Sequence, residues 1–96
     1  MHSDCPVAKV AHILSDAWTM RIMYALIPGP RHFCELERAL PGISTRTLTL
    51  KLQKLITDGL VHKNTKGAYA VTERGKGLRI VMNAMRQYEK KYLAAK

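Results

Sequence analysis

Between Ile43 and Gly59 the apolar and polar positions alternate as a capped helix with two different faces. Leu48, Leu52, Leu55 and Ile56 recur at the spacings of a buried stripe. At 100° per residue Arg46, Leu50, Gln53 and Thr57 point away from it, flanked by Thr47 and Thr49. Leu50 stands about 160° from Leu52 and so belongs to the polar side. Ser44 is a suitable N-cap, because its hydroxyl can take up a backbone N–H that the first turn leaves unpaired. Gly59 ends the helix, since glycine enters the left-handed C′ conformation at little cost. A helix of this kind can pack on its own domain through one face and enter a DNA groove with the other.

Three shorter helices precede it. Pro6 to Ser15 places Val7, Val10, Ala11 and Leu14 on one side, with Asp4 available as a cap and Pro6 tolerated in the first turn. Trp18 to Ile27 buries Trp18, Ile22, Met23 and Leu26 and ends at Pro28-Gly29-Pro30. Arg31 to Leu40 turns Phe33, Leu36 and Leu40 inward, and Pro41-Gly42 leads into the Ser44 helix. Helix, short turn and helix is the arrangement in which the second helix reads DNA.

Leu60 to Asn64 and Ala68 to Thr72 alternate as strands, joined by Thr65-Lys66-Gly67, so that Lys63 and Lys66 lie near the tip of a small wing. Thr72-Glu73 opens a long final helix, weakened at its start by Gly75 and Gly77. Its apolar residues Leu78, Val81, Met82, Met85, Tyr88 and Tyr92 step by three or four, as in a coiled-coil seam. Such a stripe needs a cover. The cover is either a second copy of the chain, with Val7, Val10 and Leu14 of the first helix joining in, or the chain's own first helix. The expected fold is mainly α with a small β-hairpin wing (α+β), a winged helix-turn-helix. Residues 1–96 form one such domain, whose N- and C-terminal helices make a dimer interface.

Charge sharpens this picture. The chain has 16 Lys and Arg against 7 Asp and Glu, a net charge of +9. Residues 1–43 carry four basic and four acidic residues, so the surplus lies wholly beyond Ile43. A positive field confined to one half suits a polyanion, with a solvated basic surface as the plain alternative. No apolar run approaches the roughly 20 residues of a membrane span. No basic-then-apolar leader opens the sequence, so a cytoplasmic, nucleoid-associated protein is expected.

Catalytic chemistry is thinly represented. Cys5 and Cys34 lie too far apart in sequence for a Cys-x-x-Cys redox or zinc motif. His2, His12, His32 and His62 lack metal-ligand spacing, and no activated nucleophile or carboxylate pair stands out. Neither a metal, a cofactor nor an enzymatic activity is expected.

In order along the chain, several short motifs resemble those of the HxlR-type helix-turn-helix transcriptional regulators, winged-helix proteins akin to the MarR group. Cys5-Pro6 is similar to the family's N-terminal Cys-Pro, and Trp18-Thr19 with Ile22 and Leu26 to its Lys-Trp-Thr helix. Phe33-Cys34-Glu35-Leu36 resembles Arg-Phe-x-Glu-Leu, and Pro41-Gly42-Ile43-Ser44 resembles Pro-Gly-Ile-Ser. Leu48-Thr49, Leu52, Leu55 and Asp58-Gly59-Leu60-Val61 follow its recognition helix, and Tyr69 to Gly75 its Tyr-x-Leu-Thr-x-x-Gly. Asp16-Ala17 departs from the usual Gly-Lys, His32 replaces an Arg, and the wing is shorter than is usual there. The resemblance implies a DNA-binding regulator in which the Cys of Cys-Pro senses oxidants or electrophiles in some members. Cys5 is the corresponding candidate, near a helix N-terminus where the dipole favours an anion, an idle or buried cysteine being the alternative.

The combined reading is a homodimer that binds double-stranded DNA at an inverted repeat. Ser44, Thr45, Arg46, Thr49, Leu50 and Gln53 form its base-reading and entry surface, while Lys51, Lys54, Lys63 and Lys66 contact phosphates. A small RNA-binding or nucleoid-coating protein would use the same charge without specificity. A partner-binding sensor module whose helix-turn-helix no longer binds DNA is a third reading. The sequence names no effector.

Overall fold

The computed structural model describes residues 5–94. Its elements are α1 (Pro6–Ile13), α2 (Ala17–Leu26), α3 (Phe33–Ala39), α4 (Thr45–Thr57), β1 (Val61–Lys63), β2 (Tyr69–Val71), α5 (Glu73–Lys76) and α6 (Arg79–Tyr88). A π-helical turn, Glu89–Leu93, carries α6 onward. The mainly helical winged helix-turn-helix expected from the sequence is the fold observed.

Side chains fix most helix starts. The Asp16 carboxylate caps α2, accepting from the Thr19 amide at 3.1 Å and the Thr19 hydroxyl at 2.6 Å. Ser44 Oγ accepts from the Thr47 amide at 3.0 Å and opens α4. At α3 the His32 amide donates to Glu35 Oε1 at 2.6 Å, and this bond first of all holds the Glu35 carboxyl below its usual range. Asp4, the expected cap of α1, lies outside the described residues, as does His2; Cys5 occupies the N-cap position, with Pro6 in the first turn.

β1 and β2 pair antiparallel, Val61 opposite Val71 and Lys63 opposite Tyr69. The turn between them is organised by Asn64, whose Oδ1 accepts from the amides of Lys66 and Ala68. Arg31 corrects the sequence reading. Instead of starting the third helix it is extended and exchanges both backbone hydrogen bonds with Tyr69, at 2.9 and 2.8 Å. The open edge of β2 offers Arg31 two partners, whereas a first helical turn would leave its N–H unpaired.

One contiguous core lies between α2, α3, α4, the base of the wing and the start of α6. Ile22, Met23, Leu26, Leu36, Leu48, Leu52 and Leu55 are buried in it. Burying each such side chain stabilises by about 1.5–3 kcal/mol, so packing rather than propensity holds these short helices. Ile56 was expected in this stripe but is exposed. It sits about 80° round the helix from Leu48, past the edge of the core. Trp18, also expected to be buried, is half-buried.

The final helix is broken. Gly77 and Leu78 separate α5 from α6, and the apolar stripe has two destinations. Leu78 and Met82 are buried in the chain's own core and Val81 packs against it, as does Leu14 at the end of α1. Leu14, Leu78 and Met82 are therefore not free to form the interface assigned to them, because their side chains already fill the core, whereas Val81 is half-buried. Met85, Tyr88 and Tyr92 remain exposed on the same stripe, and Val7 and Val10 on α1. At Gly75, inside α5, an added Cβ would run into the Leu60 carbonyl, so only glycine permits this approach of α5 to the wing.

Candidate nucleic-acid interface

α4 follows α3 across the Pro41-Gly42 turn, and its two ends are defined by Ser44 and by Gly59 at φ +77°. Its buried face leaves Arg46, Leu50, Gln53 and Thr57 on the opposite side, all exposed, with Leu50 52% accessible. An apolar side chain presented so openly on a helix otherwise lined by polar groups fits contact with a thymine methyl. Arg46 and Gln53 have the donor and acceptor sets that pair bidentately with guanine and adenine.

The hydroxyls beside them are committed within the protein. Ser44 Oγ donates to Thr47 Oγ1 at 2.9 Å, Thr45 Oγ1 to Glu37 Oε2 at 2.8 Å, and Thr49 Oγ1 to the Thr45 carbonyl at 2.8 Å. Their oxygens can still accept, but their protons position α4 rather than reach outward. The Thr45–Glu37 bond ties the first turn of α4 to α3.

The lysines divide in the same way. Lys51 lies about 60° from Leu48 on the helix, turned toward the core side. Its Nζ is 3.2 Å from Asp16 Oδ2. This is not the outward phosphate contact expected of it: the ammonium is held against the N-cap of α2. Partial burial raises the Asp16 pKa, but the Thr19 hydroxyl and amide, and then Lys51, outweigh it and hold the carboxyl below its ordinary value. Lys54 pairs with Asp58 at 3.3 Å, an exposed contact that costs little to exchange for a phosphate. Lys63 lies 5.5 Å above the Tyr69 ring, and Lys66 is exposed at the wing turn.

Asp16, Glu37 and Asn64 escaped the sequence reading. Asp16 had a local signal, an Asp three residues before Thr19, which is that of an N-cap. Glu37 and Asn64 act on Thr45 and on the turn amides, contacts that no periodic pattern reports. Both cysteines are exposed, Cys5 at the N-cap of α1 and Cys34 on α3. Among the described residues no group of three or more His, Cys, Asp or Glu could hold a metal ion. No helix among them is long and apolar enough to cross a membrane.

A capped second helix with its polar face outward, beside a basic two-stranded wing, defines a winged helix-turn-helix DNA-binding protein. The model of the HxlR-like helix-turn-helix family matches residues 13–96, and the chain belongs to that family. It is 34% identical over 94 residues to YdeP of Bacillus subtilis, an HTH-type transcriptional regulator, covering 92% of this chain and 73% of that protein. An HTH-type regulator of Synechocystis is 34% identical over 87 residues, 84% of this chain, and the chain spans 64% of its length. The quinone-bound structure of YodB from B. subtilis superposes with a TM-score of 0.82 at 27% identity, covering 92% of this chain and all of that one. The protein is thus a transcriptional regulator of the HxlR and MarR type.

Proposed function

We propose that the protein is a homodimer that recognises an inverted-repeat operator through α4. The observation that carries this reading is the outward face of α4, where Arg46, Leu50 and Gln53 stand exposed while the opposite face is buried. Arg46 bonds a guanine, Gln53 an adenine, and Leu50 meets a thymine methyl. Lys54, Lys63 and Lys66 hold register on the phosphates. Ser44, Thr45 and Thr49 line the entry to the groove, with the hydroxyl oxygens as acceptors.

The second copy covers Met85, Tyr88 and Tyr92 beyond the core, together with Val7 and Val10. Exposed apolar area of this extent on one helix is otherwise a liability. Cys5 is the candidate sensor: it is exposed and stands at the start of α1, a helix that meets the core at its far end, through Ile13 and the C-cap Leu14. Addition of its thiolate to a quinone, or its oxidation, would shift α1 and hence the spacing of the two reading heads.

Competition between an enriched duplex and random-sequence DNA across a salt series tests the reading. A regulator prefers its site by about 10³-fold or more at physiological salt. A coating protein shows the salt dependence alone, and that result would replace the present reading.

A further inference from the structure

Trp18, the second residue of α2, packs part of its ring against the core and leaves the rest open. The open part lies beside the reading helix. With Thr47, Leu50, Lys51 and Lys54 of α4 it lines a shallow hollow of about 470 Å³, to which no carboxylate contributes. Lys51, Thr47, Lys54 and Leu50 stand about 60°, 100°, 120° and 160° round α4 from Leu48, all to one side. The hollow is therefore one flank of α4, between its buried and outward faces. Thr45, bonded to Glu37 of α3, lies on the other flank.

Apolar ring, spare donors and positive charge meet on this flank. The Arg21 guanidinium lies over the Trp18 indole, 4.6 Å from the ring centroid, which orients it and leaves its edge N–H groups for an acceptor. Arg21 is exposed and forms no ion pair among the described residues. Among those residues nothing accepts from the indole N–H, a donor that packing usually satisfies. The acids beside the hollow, Asp16 and Asp58, are paired with Lys51 and Lys54, so neither stands as a bare charge against an incoming anion.

We propose that Trp18 and Arg21 form a clamp on α2 for the deoxyribose-phosphate backbone of the duplex. The proposal rests on α4 entering a major groove. A helix with its side chains is about 10–12 Å across and the groove about 12 Å wide, so a backbone runs along each flank of an inserted helix. A side chain on that flank meets sugar and phosphate rather than base edges. The indole ring covers a deoxyribose and its N–H donates to a phosphate oxygen, while Arg21 donates to a phosphate of the same strand. Contacts of this kind fix how α4 enters the groove and carry no sequence information.

Trp18 is the sole tryptophan, so its emission reports on this contact directly. The full-length protein is titrated with a random-sequence duplex at low salt, and binding is followed in parallel by the anisotropy of a dye on the DNA. Indole emission should move to shorter wavelength in step with the anisotropy, as water leaves the ring. Trp18→Phe, which keeps a ring and loses the N–H, should bind every duplex about tenfold more weakly, as loss of one charge-assisted contact dictates. Arg21→Gln should weaken binding evenly and reduce the slope of log affinity against log salt by about one. Lys90→Gln, which removes the same charge from the turn that extends α6, should leave affinity and slope unchanged. Arg21 is exposed, so unbound Arg21→Gln should melt close to the wild type and exclude misfolding as the cause. A wild type that binds with unchanged emission would overturn the clamp and leave the reading of α4 standing. So would variants that bind as the wild type does, or an equal loss in Lys90→Gln. A wild type that binds no duplex would remove the reading of α4 and the clamp together.

Discussion

Lys51, in the middle of the reading helix, forms an ion pair at 3.2 Å with Asp16, the residue that caps α2. One carboxylate thus starts one helix and anchors another 35 positions along the chain. Both side chains are about a third exposed, so the ion pair itself contributes at most about 1 kcal/mol. The cap is the larger part, roughly 0.5–2 kcal/mol for Asp to Ala.

Asp16→Ala should therefore cost about 1–2 kcal/mol in urea unfolding at neutral pH. Asp16→Asn, which keeps a capping oxygen, should cost less than about 1 kcal/mol. The pH dependence has a definite sign. The folded-state pKa lies below the ordinary value of 3.8, so the stabilisation is full above that value and is lost as pH falls through the folded pKa. Wild type and Asp16→Asn should accordingly converge in stability as acid is added below pH 3.8, and divergence there would contradict the assignment.

Gly75→Ala should destabilise the fold by about 1–3 kcal/mol, although alanine is the better helix former. The new methyl meets the Leu60 carbonyl, which is backbone and cannot rotate aside. Gly77→Ala is the comparison, since its Cβ would sit at an ordinary distance from its neighbours. Thermal melts of the two variants settle the point: equal melting temperatures would mean that α5 can move away from the wing.

Met85→Glu should shift the protein toward monomer without unfolding it. Met85 is exposed in the isolated chain, whereas in the proposed dimer it would bury an unpaired charge. Sedimentation at micromolar concentration reads the change. A wild-type chain that already sediments as a monomer would dispose of the dimer, and a dimeric Met85→Glu would move the interface elsewhere.

Mild peroxide or a quinone should change operator affinity in the wild type and not in Cys5→Ser. Cys34, on α3, provides the control, and Cys34→Ser should respond as the wild type does. Equal operator binding by treated and untreated wild type would make Cys5 a structural residue.

The sequence was most informative where the signal is local. Ser44, Gly59 and the Leu48–Leu52–Leu55 stripe define α4 through caps and periodicity that need no distant partner. The wing was legible from alternation, but not the pairing of Arg31 with Tyr69, which depends on residues far apart in sequence. Periodicity also identified the apolar side of the last helix without saying what it meets. Leu78 and Met82 turn into the core and Met85 and Tyr88 do not, because the helix outruns the domain. Lys51 shows the same limit, since its basic character is plain in the sequence and its engagement by Asp16 is not.

Selection of sites from random duplex DNA, followed by sequencing, tests the central claim most directly. The wild type should enrich an inverted repeat whose half-site centres stand about 34 Å apart, one helical turn. Arg46→Ala should enrich the same repeat with preference relaxed at one position in each half, and bind it more weakly by roughly 1–3 kcal/mol. Lys66→Ala should weaken binding evenly across all sequences. A wild-type pool with no common motif, or an Arg46→Ala pool identical to it, would contradict sequence reading by α4.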